Sequence, residues 1–125
     1  HNVHIGDFAI IGGLSAIHQF VSIGKHAMVS GGSLVRKDVP PYVKAAREPL
    51  SFVGINSIGL RRRGFNEEKI KEIQEIFRIL YQKNNNNTQA ILKIETDIDA
   101  SLERDEIISF VQNSGRGIMK GYNQK

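Results

Sequence analysis

Three consecutive arginines, Arg61, Arg62 and Arg63, stand between Gly59-Leu60 and Gly64-Phe65. A guanidinium presents a planar fork of N–H donors, stays charged at any working pH and can meet two phosphate oxygens at once. Such a triplet can grip a phosphate, coat a nucleic acid, or keep a helix end solvated. Asn56, just upstream, offers an amide donor that adds no charge. The other ionisable chemistry lies in His1, His4, His18 and His26, which are suited to proton transfer or metal ligation. A zinc site needs three convergent imidazoles, and His18 and His26 alone do not supply them, so no metal site is expected. With no cysteine in the chain, disulfides and thiolate catalysis are excluded, which fits a reducing compartment.

The element that must position these residues is a repeat of six. From Ile5 the chain divides into IGDFAI, IGGLSA, IHQFVS, IGKHAM, VSGGSL and VRKDVP. The first place holds Ile5, Ile11, Ile17, Ile23, Val29 and Val35. The fifth holds Ala9, Ser15, Val21, Ala27, Ser33 and Val39, all small or β-branched. Strands alternate with period 2, so places one and five point to the same side. A turn must follow every block, and the Gly and Ser residues there permit it. Stacking such blocks around a triangular prism buries the first-place residue, which is the hexapeptide parallel β-helix. Six blocks make about two coils, few for a self-sufficient solenoid, so the repeat is expected to begin ahead of His1.

Pro40 and Pro41, within DVPPYV (38–43), cannot donate to a ladder and end the pattern. Residues 44–57, with Pro49 and Gly54, read as an irregular connector over the solenoid end. Asn66 is expected to cap a helix whose inner face is Ile70, Ile73, Ile76, Phe77, Leu80 and Tyr81. The asparagine run 84–87 ends it, and a second helix starts at Thr88 with Ala90, Ile91 and Ile94 inward. A third runs from about Ser101, with Leu102, Ile107, Phe110 and Val111 inward, to Gly115 and Gly117. The expected divisions are a β-helix over 1–43, a connector over 44–65 and a small helical domain over 66–125.

Length and composition (125 residues, 24% charged, net charge +4) are those of an ordinary globular chain with a mild preference for anionic partners. No apolar run approaches the roughly 18 residues of a membrane span.

The order of DFAIIGGLSAIHQF (7–20), DVPPYV, GINSIGLRRRGF (54–65) and a helical tail resembles the acyl-carrier-protein-dependent UDP-N-acetylglucosamine O-acyltransferases of lipid A biosynthesis. The resemblance covers essentially the whole chain. It implies a cytoplasmic homotrimer of left-handed β-helices, without a cofactor, whose active sites lie in clefts between subunits. A 3-hydroxyacyl group would pass from the carrier-protein thioester to the sugar 3-hydroxyl. The partners implied are acyl carrier protein and UDP-N-acetylglucosamine, with no nucleic acid. The family's general base is a histidine on an earlier coil that matches no residue here, so no catalytic residue is assigned and these residues are expected to be inactive alone.

Residue by residue, the resemblance gives His18 and Gln19 as substrate contacts lining the intersubunit cleft. It gives Asn56, Arg62 and Arg63 as the residues that hold the nucleotide diphosphate. Met28 and Gly31 would border the acyl groove. Arg61 receives no role. Two positions depart from the family pattern: Asn2, where a histidine is frequent and which His1 and His4 flank here, and Ile58, where many members have glutamate. Alternatives remain at this point. They are another hexapeptide acyl- or acetyltransferase, a carbonic-anhydrase-like metal site, and a non-catalytic trimerisation or nucleic-acid module. For individual residues the plainer readings are a structural His18, a turn glycine at 31 and a solvated arginine run.

Overall fold

The computed structural model describes residues 2–82 and 86–121; His1 and residues 84–85 of the asparagine run lie outside them. The hexads form six two-residue strands: β1 (His4–Ile5), β2 (Ile10–Ile11), β3 (Ala16–Ile17), β4 (Ser22–Ile23), β5 (Met28–Val29) and β6 (Leu34–Val35). β1 pairs with β4, β2 with β5 and β3 with β6, all parallel. Ile5 opposes Ile23 and Ile11 opposes Val29, an offset of 18 residues, or three hexads. This is a parallel β-helix with one ladder per face. Its corners are built at the fourth place of the first five hexads, where Phe8, Leu14, Phe20 and His26 have φ between 60° and 68° and Gly32 has 73°. A non-glycine residue held there costs about 1–2 kcal/mol. Burying an Ile or Val contributes about 1.5–3 kcal/mol. The corner is therefore sustained where the flanking places are sealed, as at Val21, Ile23, Ala27, Val29 and Val35.

The ladder changes step at the exit. Val39 bridges Ile23, and β7 (Val43–Ala46) pairs with β5 through Met28↔Lys44 and Val29↔Ala45, offsets of 16. Two residues are missing from this coil, and the side chain of Asp38 makes up for the lost backbone acceptor. Its Oδ1 accepts from the Ser22 N–H at 2.8 Å and its Oδ2 from the Ser114 hydroxyl at 2.6 Å. Asp38 also exchanges backbone bonds with Gly117 and Met119. Gly24 is required beside it, because a Cβ there would come within 2.3 Å of the Pro41 nitrogen.

Residues 44–57, expected to be irregular, are instead ordered. β7 continues the second face of the solenoid and turns back through antiparallel β8 (Ser51–Ile55), which β9 (Lys120–Gly121) joins in parallel. The prolines end the 18-residue register but not the sheet, since Val43 to Ala46 retain the N–H groups that a ladder needs. A short helix, α1 (Ser57–Arg62), follows, capped by Asn56, where the sequence showed only connector. The expected helices are α2 (Glu67–Leu80), α3 (Asn87–Asp97) and α4 (Leu102–Gln112). α3 begins one residue earlier than Thr88 because Asn86 and Gln89 form a reciprocal capping box. Leu102, expected inward, is 68% exposed at the first turn of α4, whereas Ile107 and Val111 are buried. Phe52, Phe77 and Tyr81 stack to join β8 to α2. Among the described residues no helix is long and apolar enough to cross a membrane.

Replacing Asp38 by Ala leaves the Ser22 N–H without its acceptor and should lower the unfolding free energy by about 2–3 kcal/mol in a urea titration. Asp38→Asn keeps an acceptor and should lose less; equal losses would place the stabilisation elsewhere.

Candidate nucleotide-binding corner

The left-handed corners stack in register, and one of them carries an aromatic column. Phe8, His26 and Tyr42 follow one another at the same 18- and 16-residue steps as the strands. Phe8 and His26 lie 5.2 Å apart at 14°, and His26 and Tyr42 lie 5.7 Å apart at 13°. Phe65 closes the column edge-on, 5.2 Å from His26 and 6.0 Å from Tyr42. The base of the column is tied to α4, where the Tyr42 hydroxyl donates to Glu106 at 2.5 Å and Lys25 pairs with Glu106 at 2.6 Å.

α1 delivers the arginines to this corner and separates them. Arg61 turns away, giving Nε and Nη2 to Glu67 at 2.8 and 3.0 Å. Arg62 is exposed and makes no hydrogen bond or ion pair among the described residues. Arg63 folds back: its guanidinium carbon sits 5.3 Å from the centre of the Phe8 ring, and its Nη1 lies 3.4 Å from His26 Nδ1. Asn56, 4% exposed, secures the arrangement, donating from Nδ2 to the His26 carbonyl at 3.0 Å and accepting from the Gly59 N–H at 3.3 Å. One amide hydrogen and one lone pair remain to it. Gly59 has no room for a side chain, because a Cβ would lie 2.5 Å from Asn56 Nδ2 and 2.9 Å from Arg63 Nη1.

The remaining candidates occupy other parts of the prism. Met28 is on β5, two residues beyond His26, in an outward row Ile10–Met28–Lys44 that runs from coil to coil parallel to the aromatic column. Gly31 lies at the far edge of that face, where a Cβ would meet the Gly13 carbonyl at 3.2 Å. His18 and Gln19 form the third corner, between the β3–β6 and β1–β4 faces, with both side chains exposed. The Gln19 carbonyl accepts from Arg116 at 2.7 Å. The described chain thus joins Asn56, Arg63 and the Met28 row, and leaves His18 and Gln19 apart. Ile58 is 61% exposed on α1, and Asn2 is exposed. A cleft of about 700 Å³ between β1–β4 and α4, lined by His4, Lys25, Asp105 and Glu106 among others, contains none of the predicted site residues.

His26 is the residue that sequence reasoning underrated. Its signal was the fourth place of the hexad, where Phe8, Phe20 and His26 recur every six residues or a multiple of six. Burial, followed by the charges of Arg63 and Lys25, holds its imidazole below the ordinary value of 6.5, against smaller opposing effects of Glu106 and Asp7.

Parallel hexad coils of this kind define a hexapeptide-repeat β-helix protein. Residues 38–119 match the family model described as UDP-N-acetylglucosamine O-acyltransferase, domain 2. The acyl-[acyl-carrier-protein]–UDP-N-acetylglucosamine O-acyltransferase of Myxococcus xanthus is 39% identical over 118 residues, covering 94% of this chain and 46% of the relative. That of Burkholderia mallei is 40% identical over 125 residues, covering 95% and 47%. Among solved structures, the UDP-N-acetylglucosamine acyltransferase from Bacteroides fragilis superposes with a TM-score of 0.92 at 45% identity, over 94% of this chain and 46% of its own. The Acinetobacter baumannii structure gives 0.89 at 39%, with the same coverage. The chain belongs to the UDP-N-acetylglucosamine O-acyltransferase family, and it spans about half the length of the curated relatives it matches.

As pH falls past 6.5 the unfolded chain takes up a proton at His26 before the folded one does, so stability present above that value is lost toward the lowered one. In urea titrations the advantage of the wild type over His26→Phe should be constant above about pH 7 and shrink below about 6.5. An advantage independent of pH would mean that His26 titrates alike in the folded and unfolded chain, so that its burial and the charges of Arg63 and Lys25 do not lower it.

Proposed function

We propose that the chain is part of an O-acyltransferase that moves a 3-hydroxyacyl group from acyl carrier protein to the 3-position of UDP-N-acetylglucosamine, the opening step of lipid A biosynthesis. The observation that carries this reading is the arginine corner. Arg63 is braced by Phe8 and His26 with no carboxylate partner among the described residues, and the unpaired Arg62 stands beside it on α1. Two guanidiniums left unneutralised beside the aromatic corner suit the two charges of a sugar-nucleotide diphosphate. Asn56 positions the corner and keeps one donor for the nucleotide. The exposed Ile10–Met28 row, which lies on the second face between that corner and the edge at Gly31, suits an acyl chain laid along that face.

In the transfer, the sugar hydroxyl oxygen bonds to the thioester carbonyl carbon, the carbon–sulfur bond breaks, and the hydroxyl proton ends on the departing thiol. We assign no general base within these residues. The coils are read as left-handed and the assembly as a cytoplasmic homotrimer. His18 and Gln19, remote from Arg63 within one chain, would then reach substrate beside the arginine corner of a neighbouring subunit. In this reading residues 1–43 are the solenoid, 44–65 carry the nucleotide-binding segment and 66–125 form the helical part.

Arg63→Ala and Arg62→Ala should each raise KM for UDP-N-acetylglucosamine about tenfold or more, whereas Arg61→Ala, whose partner is Glu67, should change it little. Equal effects at all three positions would return the triplet to a general basic surface. Nucleic acid binding with steep salt dependence and no response to the sugar nucleotide would favour the module reading instead. Gly31→Met should shift donor preference toward shorter acyl chains, and an unchanged preference would remove Gly31 from the groove. The 125 residues by themselves should show no turnover in an acyltransfer assay.

A further inference from the structure

We propose that neutral His26 is the positioning residue that aims Arg63 at the diphosphate, and that this makes sugar-nucleotide binding acid-sensitive. The inference rests on the diphosphate reading above and adds a residue and a regulation to it. The plane of the His26 ring is restrained on every side. Its ring is held between Phe8 and Tyr42, closed edge-on by Phe65, and its own carbonyl is fixed by Asn56. Within that plane Nδ1 faces Arg63 Nη1, 3.4 Å away. Arg63 has only donors to offer, so the contact requires an unprotonated Nδ1, with the imidazole proton on Nε2.

The choice of an imidazole has a physical consequence. A carboxylate at this position would hold Arg63 more tightly but would cancel its charge, as Glu67 does for Arg61. A neutral acceptor fixes one N–H and leaves the full positive charge, with the remaining donors free for phosphate oxygens. Protonation reverses the effect, since Nδ1–H would face a donor and a second positive charge would stand beside the guanidinium. The charged groups around the ring are Arg63 on the α1 side, Lys25 and Asp7 at the corner, and Glu106 on α4. Glu106 is already engaged by Lys25 and Tyr42, which limits its ability to compensate.

The test measures the dissociation constant of UDP-N-acetylglucosamine between pH 5 and 8 for the protein as its gene encodes it. This ligand is a diphosphate diester with no proton to gain in that range, so its charge is constant. His26→Phe preserves the ring column, in a corner type where Phe8 and Phe20 already sit, and removes the acceptor. It should weaken binding about tenfold at pH 7.5. His26→Asn restores a non-titrating acceptor near the Nδ1 position, and Asn tolerates positive φ. It should recover most of that loss and remove the weakening that the wild type shows toward pH 5. Arg63→Gln separates the two claims. Unchanged binding in that variant would sink the diphosphate reading itself. Weakened binding by Arg63→Gln together with wild-type binding by His26→Phe, or an acid-side loss that persists in His26→Asn, would overturn the role of His26 alone. If His26→Phe does not fold, the pH profile of His26→Asn still decides.

Discussion

The constraint on which the structure depends is the parallel register between coils. An 18-residue offset places each hexad over its equivalent in the previous coil. Side chains at a given place then form columns along the solenoid. Inward columns of Ile and Val give the core, and the columns at the left-handed corners are equally continuous. At two of the three corners that continuity does little here, as with Leu14, which has Gly32 beyond it and is almost fully exposed. At the remaining corner it builds a stack of rings rigid enough to orient a guanidinium. The candidate site is a by-product of the register.

The two-residue shortening at the exit keeps this column intact. Tyr42 arrives 16 residues after His26, yet retains the positive φ and the stacked place that an 18-residue step would have given. Asp38 absorbs the discrepancy by accepting a backbone N–H with its side chain and engaging the segment after α4. That segment reaches the third corner as well, where Arg116 donates to the Gln19 and Arg36 carbonyls. The helices thus brace two corners at once, α4 through Glu106 and the following turn through Arg116.

Much of this was legible in the sequence because the governing signals are periodic. The first-place column, the proline exit and the inner face of α2 each follow from a repeat that burial enforces. What escaped was set by contacts between distant residues. β7 and β8 occupy a stretch with Pro49 and Gly54, where local preference predicts no regular element, and a neighbouring strand edge overrides it. The division of the arginines depends on Glu67 and His26, one six residues beyond Arg61 and the other 37 residues before Arg63. Leu102 sat in phase with its helix, yet at the first turn of α4 nothing packs over it. His26 was overlooked because it was weighed as an isolated histidine, when its meaning comes from Phe8 and Tyr42 one coil away on either side.

The central claim is that the braced arginine corner receives the diphosphate. A crystal structure of the protein with bound UDP-N-acetylglucosamine tests it most directly. The account predicts phosphate oxygens within about 3 Å of the Arg63 guanidinium, with the His26 contact retained. A nucleotide seated elsewhere, such as the cleft between β1–β4 and α4, with Arg63 unengaged, would contradict it.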